Sequence, residues 1–493
     1  MADKAHNETD KILAEMEQHL SAIYEEASAD IEAKAQEYFD RFKAQDEEMR
    51  KKVKSGEITE AEYIEWRRKK MLYGKRYADM QRSLAEEISH VNETAMAYIN
   101  DKLPTIYALN FNALKGAVES VVKGYSFSLV NPQVVKNLAT RDKTLLPYKY
   151  VNGRKDVRWN TQKVNSAVLQ GVLQGESVSD IGKRLQSVTE MNRTSAIRNA
   201  RTTVTSAECK GRQDSYEQAA KDGIEIEREW IATNDYRTRH SHVMLDGQIA
   251  PVNKPFKSEL GPIMYPGDPN AHPSNVYQCR CTIAEASING INIQDGMKYS
   301  DRHTVRDVYE KDPKEFDIRQ KMAYNEKADK KQYELYKTHI KPEMPKTFRE
   351  WQDIKYRNTE RYEYLKGYNR YKTYNPKSGK EYYEANRAVI SMRNQKKIRA
   401  TGTVVTPPKS ISFFVANEHA MDSYARKNIT KNDAWEIVRN SDFALKQRKG
   451  DQHTFYSKKG YVTITKDGIM TSLGWLDDGG KLLYNEVMKY VEN

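Results

Sequence analysis

Cysteine is almost missing from this 493-residue chain, which has only Cys209, Cys279 and Cys281. So small and odd a number offers no disulfide framework and points to synthesis in a reducing cytoplasm. Long apolar runs are missing too. No stretch of about 18 apolar residues occurs, and Met1 to Lys11 is polar and charged, so neither a membrane anchor nor a signal peptide is expected. Hydrophobic residues make up 38% of the chain against 30% charged, and the mean hydropathy is −0.87. That scarcity argues against one large core and places much of the chain in exposed helices, linkers or interfaces across two or three domains. General disorder is excluded, because apolar periodicity persists over several long stretches. A His-Glu-x-x-His pattern is also lacking, so a metal-dependent enzyme with an acidic base at short spacing ranks last among the function classes.

What the chain does have is positive charge, a formal +12 with a pI near 9.1. A basic surface attracts nucleic acid by releasing condensed counterions. On charge alone, a soluble protein that happens to be basic is an equal reading.

Residues 10 to 54 predict a long charged helix, interrupted at Ser55-Gly56. Thr59 and Glu62 form a capping box for a second long helix carrying Tyr63, Trp66, Met71, Tyr77, Met80, Leu84 and Ile88, with Pro104 marking its end. Such paired charged helices suit a bundle or assembly surface. Ser177 and Asp180 cap a short helix with Ile181 and Leu185, and a longer helix follows with a narrow face of Ile197, Ala200, Val204, Ala207 and Gly211. Gly223 ends it, and Ile224, Ile226 and Trp230 take up strand spacing. Residues 231 to 290 cluster Pro and Gly and read as a compact, loop-rich β segment. Residues 301 to 400 read as a connector, with 26 Lys and Arg against 16 Asp and Glu. Tyrosines interleave with its cations, and Tyr364, Tyr368, Arg370, Tyr371 and Lys372 are the candidates for tracking a phosphate backbone while stacking on bases. The alternative is a helical linker whose tyrosines pack on neighbouring subunits. After Pro407-Pro408 come a helix at 417–424, a second opened by Thr430 and Asp433, and strands at 454–456 and 461–465. The Asp467-Gly468 turn then leads into a strand ending at Thr471.

The middle segment carries Asp235, Arg237, Arg239, His242, Asp246 and Gly247 in the order Asp-x-Arg-x-Arg-x-x-His-x-x-x-Asp-Gly. Tyr265-Pro266-Gly267-Asp268-Pro269 and Cys279-Arg280-Cys281 follow, and Arg201-Thr202 and Trp230 precede it. Over residues 120 to 290 this resembles the Mu-F-like head-morphogenesis family of phage minor head proteins. The resemblance implies a virion component, in the capsid interior or at the portal vertex, that acts in head morphogenesis and in DNA packaging or ejection. Its implied partners are the portal protein, capsid and scaffold proteins, and packaged DNA or RNA. Residues 411 to 493 look like the barnase/EndoU/colicin/RelE-like nuclease modules fused to some head proteins. That likeness implies a metal-independent RNase, with His419, Arg426, Lys427, His453 and Thr471 as candidates for base, phosphate-holding cations and hydroxyl donor. Carried in the virion, such a module would make the chain a toxin-type effector, the alternative to a purely structural head protein.

His240 and His242 are two residues apart, as are Cys279 and Cys281. On strands, each pair would offer two ligands on one face, and two imidazoles with two thiolates suit a structural Zn²⁺. Asp235 or His272 could replace His240 as fourth ligand, or the cysteines could simply be buried. Cys209 lies outside the pattern and reads as an inert buried residue. The expected architecture is a multidomain α+β protein. Long N-terminal helices (1–110) are followed by a mixed helical and β head-morphogenesis domain (111–295), a basic Tyr-rich linker (296–404) and a small α+β domain (405–493).

Overall fold

The computed structural model describes residues 4–293, 304–409, 415–447 and 452–492. The chain divides into two compact units, Met1–Phe316 and Asp317–Asn493.

In the first unit, apolar residues spaced three and four apart build long helices such as Lys4–Asp40 and Lys75–Asn112, each with a buried stripe, while the helix Val178–Lys221 is buried all round over Thr202–Cys209. Helix α1 (Lys4–Asp40) buries Met16, Leu20, Tyr24, Ala27, Ile31, Ala35 and Tyr38. The helix expected over 10–54 breaks after Asp40, and α2 (Lys43–Ser55) ends at Gly56, whose φ of 77° is left-handed. The Thr59/Glu62 capping box forms and opens α3 (Glu60–Met71). Two departures follow. A break at 72–74 separates α3 from α4 (Lys75–Asn112), and α4 runs straight through Pro104. A proline inside a helix costs about 3 kcal/mol. Here Pro104 sits among buried Leu103, Ile106, Tyr107 and Phe111, and that packing outweighs the lost hydrogen bond. After α5 (Leu114–Val121), α6 (Pro132–Arg141) and α7 (Gly153–Leu173) comes α8 (Val178–Lys221), 44 residues without interruption where two helices were expected. Ser177 caps it as predicted.

The small face of α8 lets it approach α4 closely: a Cβ on Gly211 would lie 2.5 Å from the Tyr107 carbonyl oxygen. A polar network fixes the register of four helices. Tyr24 donates to Asn92 Oδ1 (2.6 Å), Asn92 Nδ2 donates to Asn192 Oδ1 (2.8 Å) and Asp156 Oδ2 (2.8 Å), and Asn192 Nδ2 donates to Asn160 Oδ1 (3.0 Å). Buried groups that satisfy one another in this way specify one alignment over its slipped alternatives.

Beyond Gly223, β1 (Ile226–Ile231) pairs antiparallel with β2 (Ile249–Pro251) and β5 (Thr282–Ile288) in a four-stranded sheet of order β2-β1-β5-β6. The short α9 (His240–Val243) lies between β1 and β2, a hairpin of β3 (Phe256–Ser258) and β4 (Gly261–Ile263) follows, and α10 (Pro273–Val276) precedes β5. The last strand is β6 (Ile291–Asn292), and α11 (Val305–Lys311) closes the segment. One core runs from Met16, Leu20, Ile99 and Val204 into Trp230, Phe256 and Ile283, so the long helices and this sheet form one body.

In the second unit, α12 (Pro313–Ile340, begun in the first), α13 (Phe348–Arg357), α14 (Thr359–Tyr374) and α15 (Lys380–Asn394) enclose an aromatic core of Tyr333, Tyr336, Trp351, Tyr368, Tyr371 and Tyr383. Then come β7 (Thr403–Val405), β8 (Val415–Ala416), α16 (Glu418–Lys427), α17 (Lys431–Arg439), β9 (Phe443–Lys446), β10 (Gln452–Tyr456), β11 (Gly460–Thr465), β12 (Ile469–Trp475) and α18 (Asp478–Val491). The six strands run β7-β9-β10-β11-β12-β8, antiparallel except for β12 with β8. The Thr430/Asp433 capping box and the turn at Gly468 (φ 81°) form as expected. The strand expected to end at Thr471 continues to Trp475, and α18, which the sequence reading missed, packs Leu483 and Val487 into a core shared with α15. The α+β multidomain class with long N-terminal helices holds.

Candidate metal centre

Asp235, Arg239, Asp246 and Gly247 of the Asp-Arg-Arg-His-Asp-Gly series hold the surroundings of one buried cluster that contains His242. Asp235 grips Arg280, the residue between the two cysteines, through two bonds of 2.6 and 2.8 Å. Burial opposes ionisation of Asp235, but the Arg280 pair outweighs it and holds the carboxyl below its usual range. Arg239 donates to the carbonyls of Ser274 and Tyr277, fixing the loop that leads into the cysteines. Asp246 accepts from Ala232 N (2.7 Å) and Val305 N (2.8 Å). Gly247 takes φ 77°, and its N–H reaches Trp230 O at 2.9 Å. In the downstream turn, Asp268 accepts from Met264 N and Asn270 N. There a Cβ on Gly267 would lie 2.8 Å from Ser206 Cα, so the turn lies directly on α8.

These supports converge on His242, Cys279 and Cys281, whose ligand atoms all lie within 4.8 Å of one another and are buried. His242 Nδ1 is 3.2 Å from Cys281 Sγ and 3.5 Å from Cys279 Sγ. The Cys281 N–H donates to Cys279 Sγ at 3.4 Å. Trp230 stands edge-on to the imidazole, ring centres 5.4 Å apart. Helix α8 forms the back wall: Thr205 donates to Cys279 O (2.8 Å), and Cys209 Sγ lies 3.8 Å from Cys281 O. Burial pushes the Cys209 and Cys281 thiols well above their ordinary range, which makes Cys209 the inert buried thiol expected. The sequence reading missed Thr205, because its partner is distant in the chain.

His240 is not brought to the cluster. The two histidines lie on helix α9 rather than a strand, and residues two apart on a helix point away from each other. His240 pairs instead with Glu259 at 3.2 Å and packs on Tyr309. The alternative fourth ligands are also engaged, Asp235 with Arg280 and His272 with the Ser274 N–H. Three donors are therefore gathered among the described residues. One nitrogen and two sulfurs form a set suited to Zn²⁺ or another thiophilic ion, and His242 Nε2 is buried with no hydrogen-bond partner among the described residues.

The other candidates are dispersed. Tyr368 and Tyr371 are buried, with Tyr371 donating to Val404 O (2.7 Å), so their faces pack on Tyr383 and are closed to bases. Tyr364 is half-buried with Arg361 and Arg387 over its ring. Lys372 binds the carbonyls of Pro376 and Ser378, and Arg370 is exposed. His419 lies in the first turn of α16 and Arg426 and Lys427 in its last, about 10 to 12 Å apart by helix rise. Lys427 donates to Leu473 O (2.7 Å). His453 on β10 stacks loosely on Phe455, while Thr471 lies on β12, two strands away.

Residues 162–284, which hold this cluster and its supports, match the family of Phage Mu protein F like proteins. The chain carries a Mu F-like domain over those residues, and this likeness, with the relative that follows, supports a phage minor head protein acting in head morphogenesis. It is 26% identical over 276 residues to the minor head protein GP7 of Bacillus phage SPP1, a match covering 56% of this chain and 83% of that protein. It is also 32% identical over 173 residues to an NAD(+)–arginine ADP-ribosyltransferase of Enterococcus faecalis, covering 34% of this chain and 32% of that protein. No solved structure matches.

Proposed function

We propose that the chain is a minor head protein of the virion, held at the portal vertex or capsid interior. There it would contact portal, capsid and scaffold proteins and act in the packaging or ejection of DNA. The observation that carries this reading is the Mu F-like domain, α8 included, fused into one core with α1 and α4. Those helices expose long charged faces suited to assembly contacts. No helix among the described residues is long and apolar enough to cross a membrane. Mass spectrometry of purified virions tests the proposal: the protein should be present and should co-purify with portal. Its absence from intact heads would overturn the reading.

Within the domain, we propose a structural Zn²⁺ on His242, Cys279 and Cys281. The donor set and the burial of all three support it. A bound cation would favour the thiolate of Cys281, against the burial that pushes its thiol the other way. Protein made without a histidine tag should carry close to one zinc, and a chelator should lower its melting temperature. Less than about a tenth of an equivalent, with stability indifferent to chelator, would end the idea.

A second reading keeps residues 405–493 as an RNase module in a virion-borne effector, with His419, Arg426, Lys427, His453 and Thr471 as its residues. One relative, which shares 32% of its length with this chain, is named as an ADP-ribosyltransferase, so part of this chain recurs in a protein named as an enzyme. RNA left intact by the full chain would remove this reading.

A further inference from the structure

The second unit contains a groove of about 1370 Å³ between helices α14 and α15 and the sheet strands β7, β9, β10 and β11. Strand alternation explains why it is open. Phe455, Val462 and Ile464 point to one side of the sheet and pack under α16 and α17. Thr454 and Thr463, alternate residues on the same strands, point to the other side, where their hydroxyls lie 3.0 Å apart on the groove floor. Phe443 and Tyr456 on this second face are covered in the core shared with α15 and α18. The Thr454/Thr463 end is not.

The lining is one-signed. Arg370, Arg387, Arg393 and Lys446 line the groove, and no Asp or Glu does among the described residues. Arg393 is held by the carbonyls of Ala400 (2.9 Å) and Gly402 (3.1 Å), and Lys446 by that of Tyr374 (3.3 Å). Carbonyls orient these cations without neutralising them. Arg387 has Glu384 at 3.4 Å, whereas Arg370 is exposed and has no carboxylate partner among the described residues. At the rim, Tyr374 is 67% exposed, the most open tyrosine of this unit among the described residues. The volume exceeds the roughly 300–1,000 Å³ of small-molecule sites, which suits a chain-like ligand. Cations beside an exposed aromatic ring, with hydroxyl and amide groups in the same lining, are the elements that hold single strands. Phosphates take the charges and an unstacked base takes the ring. A duplex offers no free base to Tyr374.

We propose that this groove binds single-stranded nucleic acid, with phosphates on Arg370, Arg393 and Lys446 and a base stacked on Tyr374. The site is not the Tyr364–Lys372 surface expected from sequence, although it shares Arg370 and an edge of Tyr371. It is independent of the head-protein reading, since no residue of the Mu F-like domain lines it.

Fluorescence anisotropy with the full chain and labelled single-stranded DNA and RNA of about 12 nucleotides tests it, with a duplex of the same length as comparison. Three to four neutralised phosphates predict a roughly 20- to 50-fold loss of affinity between about 50 and 200 mM salt. Arg370→Glu combined with Lys446→Glu should weaken binding at least about tenfold, and Tyr374→Ala should weaken single-strand binding about tenfold. Lys431→Glu, an exposed reversal at the start of α17 outside the groove, should stay within about twofold of the unmutated chain. DNA and RNA strands binding alike supports a backbone-and-stacking site, and so does preference for either one over duplex. No binding at low salt, duplex bound as tightly as single strands, or equal losses in the Lys431 and groove variants would each overturn the proposal.

Discussion

At the residue scale, the clearest electrostatic device is the contact of His6 with Glu208. The imidazole Nδ1 lies 2.7 Å from the buried Glu208 carboxylate, which also accepts from Thr282 at 2.7 Å, and Arg212 stands 3.9 Å away. Burial opposes a charge on His6. The hydrogen bond and charge of Glu208, helped by Asp10, outweigh it and raise the pKa to about 9. A pKa raised above its unfolded value of about 6.5 contributes stability that is complete below about pH 6.5 and is lost as pH rises through about 9. The full effect is at most about 3 kcal/mol. Urea unfolding of the intact chain and of His6→Ala at about pH 6 and about pH 9.5 should show a stability gap at the lower pH that narrows at the higher. A gap of the same size at both would show that the pair is electrostatically idle. None of this was legible in the sequence, because His6 and Glu208 meet only through the packing of α1 on α8. The motif around His242 was legible, since Asp235, Arg239, Asp246 and Gly247 act locally or on the adjacent cysteine loop. His240 misled because two-residue spacing has opposite meanings on a strand and on a helix, and a four-residue helix leaves no periodicity to tell them apart.

At the element scale, what could be read was what is decided by neighbours in the chain. The caps at Thr59, Ser177 and Thr430 form because a side-chain oxygen meets an N–H three residues on. Breaks and continuations depended on packing instead. Pro104 stays inside α4 because its surroundings are buried, whereas the break at 72–74 centres on Gly74 with φ 97°. Helix α18 escaped notice because Gly479-Gly480 in its first turn reads as a breaker, although Asp477 caps the Gly480 N–H at 2.7 Å. The tyrosines of 356–383 read as exposed because cations surround them. In the structure several of those cations lie over the rings, as Lys355 does on Trp351 and Arg387 on Tyr364 and Tyr383. Interleaving therefore marks an aromatic core with a charged coat, and among the described tyrosines of 356–383 the exposed one is Tyr374, at the end of α14.

At the scale of the whole molecule, the two units have separate cores, and the chain should unfold accordingly. The first core joins long helices and sheet through Tyr107, Val204 and Trp230, and the second sheet is centred on Phe455, Val462 and Ile464 under α16 and α17. A cooperative transition belongs to a core that must be disrupted all at once, so calorimetry of the intact chain should resolve two transitions where one is expected of a small single domain. Two substitutions assign them. Gly211→Ala places a methyl 2.5 Å from the Tyr107 carbonyl oxygen and should force α8 away from α4, at a cost of about 1–3 kcal/mol. Phe455→Ala removes a ring that is 1% exposed, at a cost of about 3–5 kcal/mol. The first should lower only the transition of the unit that holds the His242 cluster, because Gly211 lies on α8, the helix whose Thr205 and Cys209 back that cluster. The second should lower only the other. A single transition moved by both substitutions would mean that the second unit has no stability of its own, and the groove at Thr454 would then exist only while the Mu F-like body is folded.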